Sequence, residues 1–292
     1  SCPASIKVSG ASTVSARKLF EIVRLLPDSS IHFKSTNQWV QVTCERSKFK
    51  VASLSKDNFP NVPTVEEAKV VLPSDPLRYM INRCIYAITQ EESRYTLNGA
   101  LMILKPQSIT LVTTDGHRLV FISRDLEIKG ISGEKRALIP RKSLVELSKL
   151  AADPVESIEF GSSENHLFFR AASRLLISRV LTGQFPSYEM VIPKTNDKQV
   201  ILSTFDFSDA LKRVAIMADE QSHAVRLSLR DDQLDIFSTT SEVGEAKETL
   251  PASYQGQPLE IGFNARYILD FLSNLESEQV RIDLSDGETQ GL

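Results

Sequence analysis

Ala16-Arg17-Lys18, Pro140-Arg141-Lys142 and Ala265-Arg266-Tyr267 open three stretches of one kind. The first runs through an amphipathic segment to Leu26, then Ser30-Ile31-His32-Phe33, and ends at Phe59-Pro60. The second runs through Leu150, then Ser157-Ile158-Glu159-Phe160, and ends at Phe185-Pro186. The third runs through Leu275 to Val280-Arg281-Ile282-Asp283. The openings lie about 125 residues apart, well beyond the about 20–50 residues of a solenoid repeat, so the pattern reads as duplication of a whole domain. Consecutive copies of one domain suit rings and binding arrays better than they suit an enzyme.

The 292 residues accommodate two full copies and a partial third. A composition of 41% hydrophobic and 24% charged residues is that of a soluble globular protein. No apolar run approaches the ~20 residues that span a bilayer, and no signal-peptide pattern opens the chain. Cys2, Cys44 and Cys84 are few, odd in number and widely spaced, which predicts a reducing compartment and no disulfide framework. No Cys-x-x-Cys occurs and the histidines never cluster, which argues against structural zinc. The net charge of −3 alone argues against a tight nucleic-acid binder.

Five segments carry helical periodicity. Their apolar positions are Leu19, Ile22, Val23 and Leu26; Leu77 to Ile88 after Ser74-Asp75-Pro76; Leu144, Leu147 and Ala151 within 141–152; Phe207 to Ala218; and Ile268 to Leu275 after Asn264, a natural N-cap. Alternating strands are expected at 31–33, 40–42, 97–104, 109–113, 225–229 and 234–238, with Asp115-Gly116 and Asp286-Gly287 as turns. The order helix–strands–helix–strands per copy predicts an α+β fold, two helices packed on antiparallel sheets in each domain. Polar or Pro-containing junctions fall at Glu66–Ser74 and Pro193–Leu202.

Each helix carries basic residues opposite its apolar stripe: Arg17, Lys18 and Arg24; Arg78 and Arg83; Arg141, Lys142 and Lys149; Lys212 and Arg213; and Arg266. Acids gather elsewhere, at Glu66-Glu67, Glu91-Glu92, Asp231-Asp232 and Glu242 to Glu248. Helices aligned on one side would present a basic surface on an acidic chain. Such a surface suits weak, sequence-independent contact with a phosphate backbone; solvated helix faces are the plainer alternative.

Thr113-Thr114-Asp115-Gly116-His117-Arg118-Leu119 is the most chemically suggestive string. Three readings are open: a hydrolase centred on Asp115 and His117, a plain hairpin turn, or a loop of a binding site. No Gly-x-Ser-x-Gly, Walker loop or His-Glu-x-x-His accompanies it.

Several strings in order resemble the bacterial DNA polymerase sliding clamp, the beta subunit of polymerase III. They are Arg94-Tyr95-Thr96-Leu97-Asn98-Gly99, Thr114 to Leu119, Ile139-Pro140-Arg141-Lys142, Gly183 to Tyr188 and Ile192-Pro193-Lys194, spread over essentially the whole chain. The resemblance implies clamp domains at 1–68 (the second half of the first), 69–197 and 198–292. In that family three such domains form half a ring, a homodimer closes around duplex DNA, and helices line the hole. Topology then holds the DNA more than affinity does, which accommodates the acidic balance.

The resemblance further implies a hydrophobic pocket for short peptides of the replicative polymerase, clamp loader and repair proteins. Its positions are Arg94, Leu97, Thr114, Gly116, His117, Arg118, Leu119, Pro186, Met190 and Val191. DNA-facing charges fall on Arg17, Arg24, Arg78, Arg83, Arg141, Lys142, Lys149, Lys212, Arg213 and Arg266. The dimer contact falls on Phe49 and Val51 against Ile216 and Met217, rimmed by Lys18 and Arg46. A non-enzymatic, cytoplasmic protein without metal, cofactor or membrane contact is expected; a protein-interaction scaffold with no DNA role is the alternative. The family pattern also implies that the chain opens within the first domain and stops before the closing strand and Met-Pro-Met tail of the third.

Overall fold

The computed structural model describes residues 4–36, 38–59, 63, 69–91, 93–152, 154–241 and 244–292. Cys2, Pro60, Glu66, Glu67, Glu92 and Glu242, read in the sequence, lie outside the described residues. The chain divides into two compact units, Ser1–Val65 and Glu66–Leu292.

The first unit holds β1 (Thr13–Val14), α1 (Ala16–Leu25), β2 (His32–Thr36), β3 (Trp39–Cys44) and β4 (Ser47–Leu54), in an antiparallel sheet of order β1-β4-β3-β2. The Ser15 hydroxyl accepts the Lys18 N–H at 3.4 Å and caps α1. Along β3 the alternation is strict, with Val40, Val42 and Cys44 buried on one face. α1 departs from expectation. Leu19, Ile22 and Leu26 are only half-buried, and Phe20, Val23 and Leu25 are exposed.

The second unit carries the remaining elements. They are β5 (Val70–Pro73), α2 (Ser74–Cys84), β6 (Gly99–Lys105), β7 (Ser108–Thr114), β8 (Leu119–Asp125), β9 (Lys135–Pro140), α3 (Arg141–Leu150), β10 (Ser157–Ser162), β11 (His166–Ala171) and β12 (Arg174–Arg179). There follow β13 (Lys198–Ser203), α4 (Thr204–Val214), β14 (Ala224–Arg230), β15 (Gln233–Thr240), β16 (Gly244–Pro251), β17 (Leu259–Asn264), α5 (Ala265–Ser273) and β18 (Gln279–Leu284).

The repeat is visible in this order. A strand leads straight into each helix, as in β5–α2 and β13–α4, and again in β9–α3 and β17–α5. Sheets β8-β7-β6-β9 and β16-β15-β14-β17 are counterparts, all antiparallel. Helices α2 and α3 pack between β8-β7-β6-β9 and the sheet β12-β11-β10-β5, enclosing Leu77, Met80, Ile81, Leu144 and Leu147. Each such side chain contributes about 1.5–3 kcal/mol by leaving water. Helices α4 and α5 enclose Phe207, Leu211, Val214 and Leu272 in a second core.

Several boundaries differ from the sequence reading. α2 stops at Cys84, and a 3-10 turn at Ile85–Ala87 carries the apolar stripe onward with tighter winding. Leu97 lies in a 3-10 turn, Tyr95–Leu97, and not in a strand. The strand starts at Gly99, where a Cβ would come 2.3 Å from the Ile139 carbonyl oxygen, so only glycine lets β6 meet β9 there. Leu202 belongs to β13 and not to the junction before it. Cys44 and Cys84 are free and buried, and burial pushes the Cys84 thiol up to about 12. No helix among the described residues is long and apolar enough to cross a membrane.

Candidate functional site

β7 ends at Thr114 and β8 begins at Leu119, so the Asp115-Gly116-His117-Arg118 string is the connection between paired strands. Its shape follows from two short side chains. Asp115 Oδ1 accepts the backbone N–H groups of His117 and Arg118, each at 3.0 Å. The Thr114 hydroxyl donates to the Arg118 carbonyl at 2.6 Å and accepts the Gly116 N–H at 3.0 Å. Such side-chain bonds to the local backbone are how Asp and Thr build turns. Gly116 sits at φ 91°, in the left-handed region. Arg94 Nη1 donates to the Asp115 carbonyl at 3.0 Å, which ties the loop to the 3-10 turn bearing Leu97.

The hydrolase reading finds no support in this geometry. Both oxygens of Asp115 are taken, one by the backbone and the other by the Arg118 guanidinium at 3.1 Å. The His117 ring stacks on Tyr267, with centroids 6.4 Å apart, instead of meeting a carboxylate.

Arg118 is held by groups distant in sequence. Its Nη1 donates to Asp270 Oδ2 on α5 at 2.7 Å, and its Nη2 to the Tyr86 carbonyl at 3.0 Å. The guanidinium lies 4.5 Å from the Tyr267 ring centroid and 5.2 Å from that of Tyr86. Burial pushes the Tyr86 phenol up to about 12, against the pull of the Arg118 charge. Arg83 Nη2 pairs with Glu276 Oε1 at 2.5 Å and stacks on Tyr79, so it too is committed to a protein partner. Tyr86, Asp270 and Glu276 were not singled out from the sequence, where no local pattern marks them, and Tyr267 was read only as part of a repeat opening.

Beside the loop, Leu119 packs on a small cluster of Leu101, Ile103, Val112, Leu138 and Tyr188. The segment after β12 covers that cluster with Leu181, Phe185 and Ile192, and passes through a 3-10 turn at Tyr188–Met190. A Cβ on Gly116 would lie 3.9 Å from Leu97 Cδ1, and one on Gly183 would lie 2.6 Å from Thr96 Cγ2, so the loop, the Leu97 turn and the covering segment adjoin. Leu97 and Thr114 are buried, Leu119 and Arg118 half-buried, and Arg94, Gly116, His117 and Pro186 exposed. Met190 is 86% exposed and Val191 49%, an apolar pair with little cover.

Three family models run in order along this fold: the N-terminal domain of DNA polymerase III beta subunit on residues 2–63, its central domain on 71–187, and its C-terminal domain on 189–290. The chain belongs to the beta sliding clamp family. It is 36% identical over 288 residues to the beta sliding clamp of Pseudomonas putida, covering 97% of this chain and 77% of that protein. A crystal structure of the Pseudomonas aeruginosa sliding clamp with ligand superposes at a TM-score of 0.92, with 33% identity over 97% of this chain and 78% of that one. Another, of a Pseudomonas aeruginosa clamp bound to griselimycin, superposes at 0.90 with 33% identity, covering 96% and 76%.

On this sliding-clamp fold the basic helix residues differ in what surrounds them. Arg24, Arg78, Lys142 and Arg266 are exposed. Arg17 and Lys18 share Glu21, Lys149 pairs with Glu146, Lys212 with Asp209, and Arg213 with Glu248 on β16. These carboxylates reduce the net positive field of the faces. Arg141 is half-buried, its Nε enclosed without a hydrogen-bond partner. Arg46 is exposed at the β3–β4 turn, Phe49 is 36% exposed and Val51 half-buried on β4. Ile216 is 77% exposed in the 3-10 turn after α4, and the Met217 carbonyl accepts the Thr240 hydroxyl at 2.8 Å.

Proposed function

We propose that this chain is a processivity factor: it encircles duplex DNA as part of a homodimeric ring and tethers the replicative polymerase. The observation that carries this reading is the succession of all three beta-subunit domain models along one chain whose helices and sheets repeat in step. The chain performs no chemistry of its own in this role and is loaded onto DNA by a separate clamp loader. Arg24, Arg78, Lys142 and Arg266 supply long, screened contacts to phosphates, which permit sliding. Short apolar peptides of the polymerase, loader and repair proteins dock where Leu97, Leu119, Pro186, Met190 and Val191 offer an apolar surface beside the Thr114–Leu119 loop. Griselimycin, bound by a sliding clamp of Pseudomonas aeruginosa, is read as a ligand of the same surface. Phe49 and Val51 of one copy meet Ile216 and Met217 of another.

The test is primer extension on a circular template with polymerase and clamp loader. Added chain is expected to lengthen products made in one binding event. Arg24→Glu with Lys142→Glu is expected to reduce that gain and to lower the salt slope of DNA association by about 2. No gain from the wild-type chain would refute the reading; an unchanged gain in the double variant would refute the DNA-facing assignment and favour a scaffold without a DNA role.

A further inference from the structure

Between the segments matched by the central and C-terminal domain models, the guanidinium of Arg118 is heavily engaged. It belongs to the Thr114–Leu119 loop by sequence, and it grips α5 through Asp270 and Tyr267. The loop's own bonds run through the same residue, since the Arg118 carbonyl accepts the Thr114 hydroxyl and its N–H is held by Asp115. His117, its neighbour, stacks on Tyr267 of α5 as well. The loop therefore cannot shift without pulling on α5. A second tie, Arg83 to Glu276, bridges the same two segments but does not touch the loop.

We infer that Arg118 is a positioning residue that couples occupancy of the peptide pocket to the fastening of α5 against the central segment. The inference rests on the pocket reading above. An apolar ligand that settles against Leu119 and His117 stabilises one arrangement of the loop, and the Arg118 clasp transmits that preference to α5. By reciprocity, releasing the clasp at Asp270 weakens binding at the pocket, whose assigned positions do not include Asp270.

The experiment measures griselimycin binding by calorimetry and amide hydrogen exchange across Ala265–Ser273, on the full chain. Wild type, Asp270→Asn and Glu276→Gln are compared. Asp270 is 46% exposed at its side chain, so its replacement leaves the fold intact. Wild type is expected to bind and to slow exchange in α5. Asp270→Asn is expected to bind about fivefold more weakly, the low end of inter-site couplings, and to show no slowing in α5. Glu276→Gln is expected to bind like wild type. Equal affinity and equal protection in wild type and Asp270→Asn would overturn the coupling while leaving the pocket in place. Equal weakening in both variants would also overturn it, since the loop would then not be the route. No griselimycin binding by wild type would remove the pocket reading itself, and the coupling with it.

Discussion

Arg118 and Asp270 are 152 residues apart in sequence and joined by a 2.7 Å hydrogen bond between the guanidinium and the carboxylate. The planar fork of the arginine matters here. It serves Asp115, Asp270 and the Tyr86 carbonyl from three separate nitrogens while lying against two aromatic rings.

Arg118→Ala is expected to lower stability by about 2 kcal/mol, below the cost of breaking a fully buried pair because Asp270 is half in water. For a unit of this size that corresponds to a fall in Tm of about 4–8 °C by calorimetry. Arg118→Lys is expected to recover little, because one ammonium cannot reach three acceptors and stack as well. Full recovery by lysine would mean that charge alone is what the site requires.

Gly116→Ala is expected to destabilise the loop by about 1–2 kcal/mol, because φ 91° is unfavourable for any residue with a Cβ. The clash itself is cheaper than the strain: the nearest atom, Arg94 Nη1 at 2.5 Å, ends a flexible side chain and can move. Chemical denaturation measures the stability change. Griselimycin titration is expected to show weaker binding in the same variant, and undiminished binding would place the ligand away from this loop.

Ile216→Asp is expected to leave Tm within about 1 °C of wild type, since the side chain is 77% exposed and its loss opens no cavity. Sedimentation is expected to show loss of a self-associated species, because a carboxylate would be buried against Phe49 and Val51 of the second copy. An unchanged mass distribution would remove these residues from the proposed interface.

Asp235 on β15 is 8% exposed, and the Thr249 hydroxyl at 2.6 Å and the Lys247 ammonium at 2.9 Å hold its carboxyl below the usual range. A folded pKa below the unfolded one contributes stability that is present above the unfolded value and lost as pH falls through the folded one. Asp235→Asn is therefore expected to be about 1.5 kcal/mol less stable than wild type at pH 7. The gap should close below about pH 4. A gap that persists in acid would assign the effect to packing and not to charge.

How much of this was legible in the sequence depended on range. The repeat of Ala16-Arg17, Pro140-Arg141 and Ala265-Arg266 marked three helix starts, and all three are helix starts in the fold. Asn264 was read as a cap, and its side chain accepts the Arg266 N–H at 2.9 Å. Periodicity and capping are local, so the sequence alone carries them. Leu97 was misplaced because a strand pattern does not register that Gly99 must pass a carbonyl 2.3 Å from where a Cβ would stand.

The sequence by itself determined the α+β repeat, the helix starts and the loop at Asp115-Gly116, because periods of two and 3.6 residues and turn chemistry are written in neighbouring residues. Only the tertiary structure decided that Arg118 and Arg83 meet Asp270 and Glu276. An exposed charge and a clasped one look alike in sequence. What separates them is whether a carboxylate from a distant helix arrives within hydrogen-bond reach, and packing of α5 sets that.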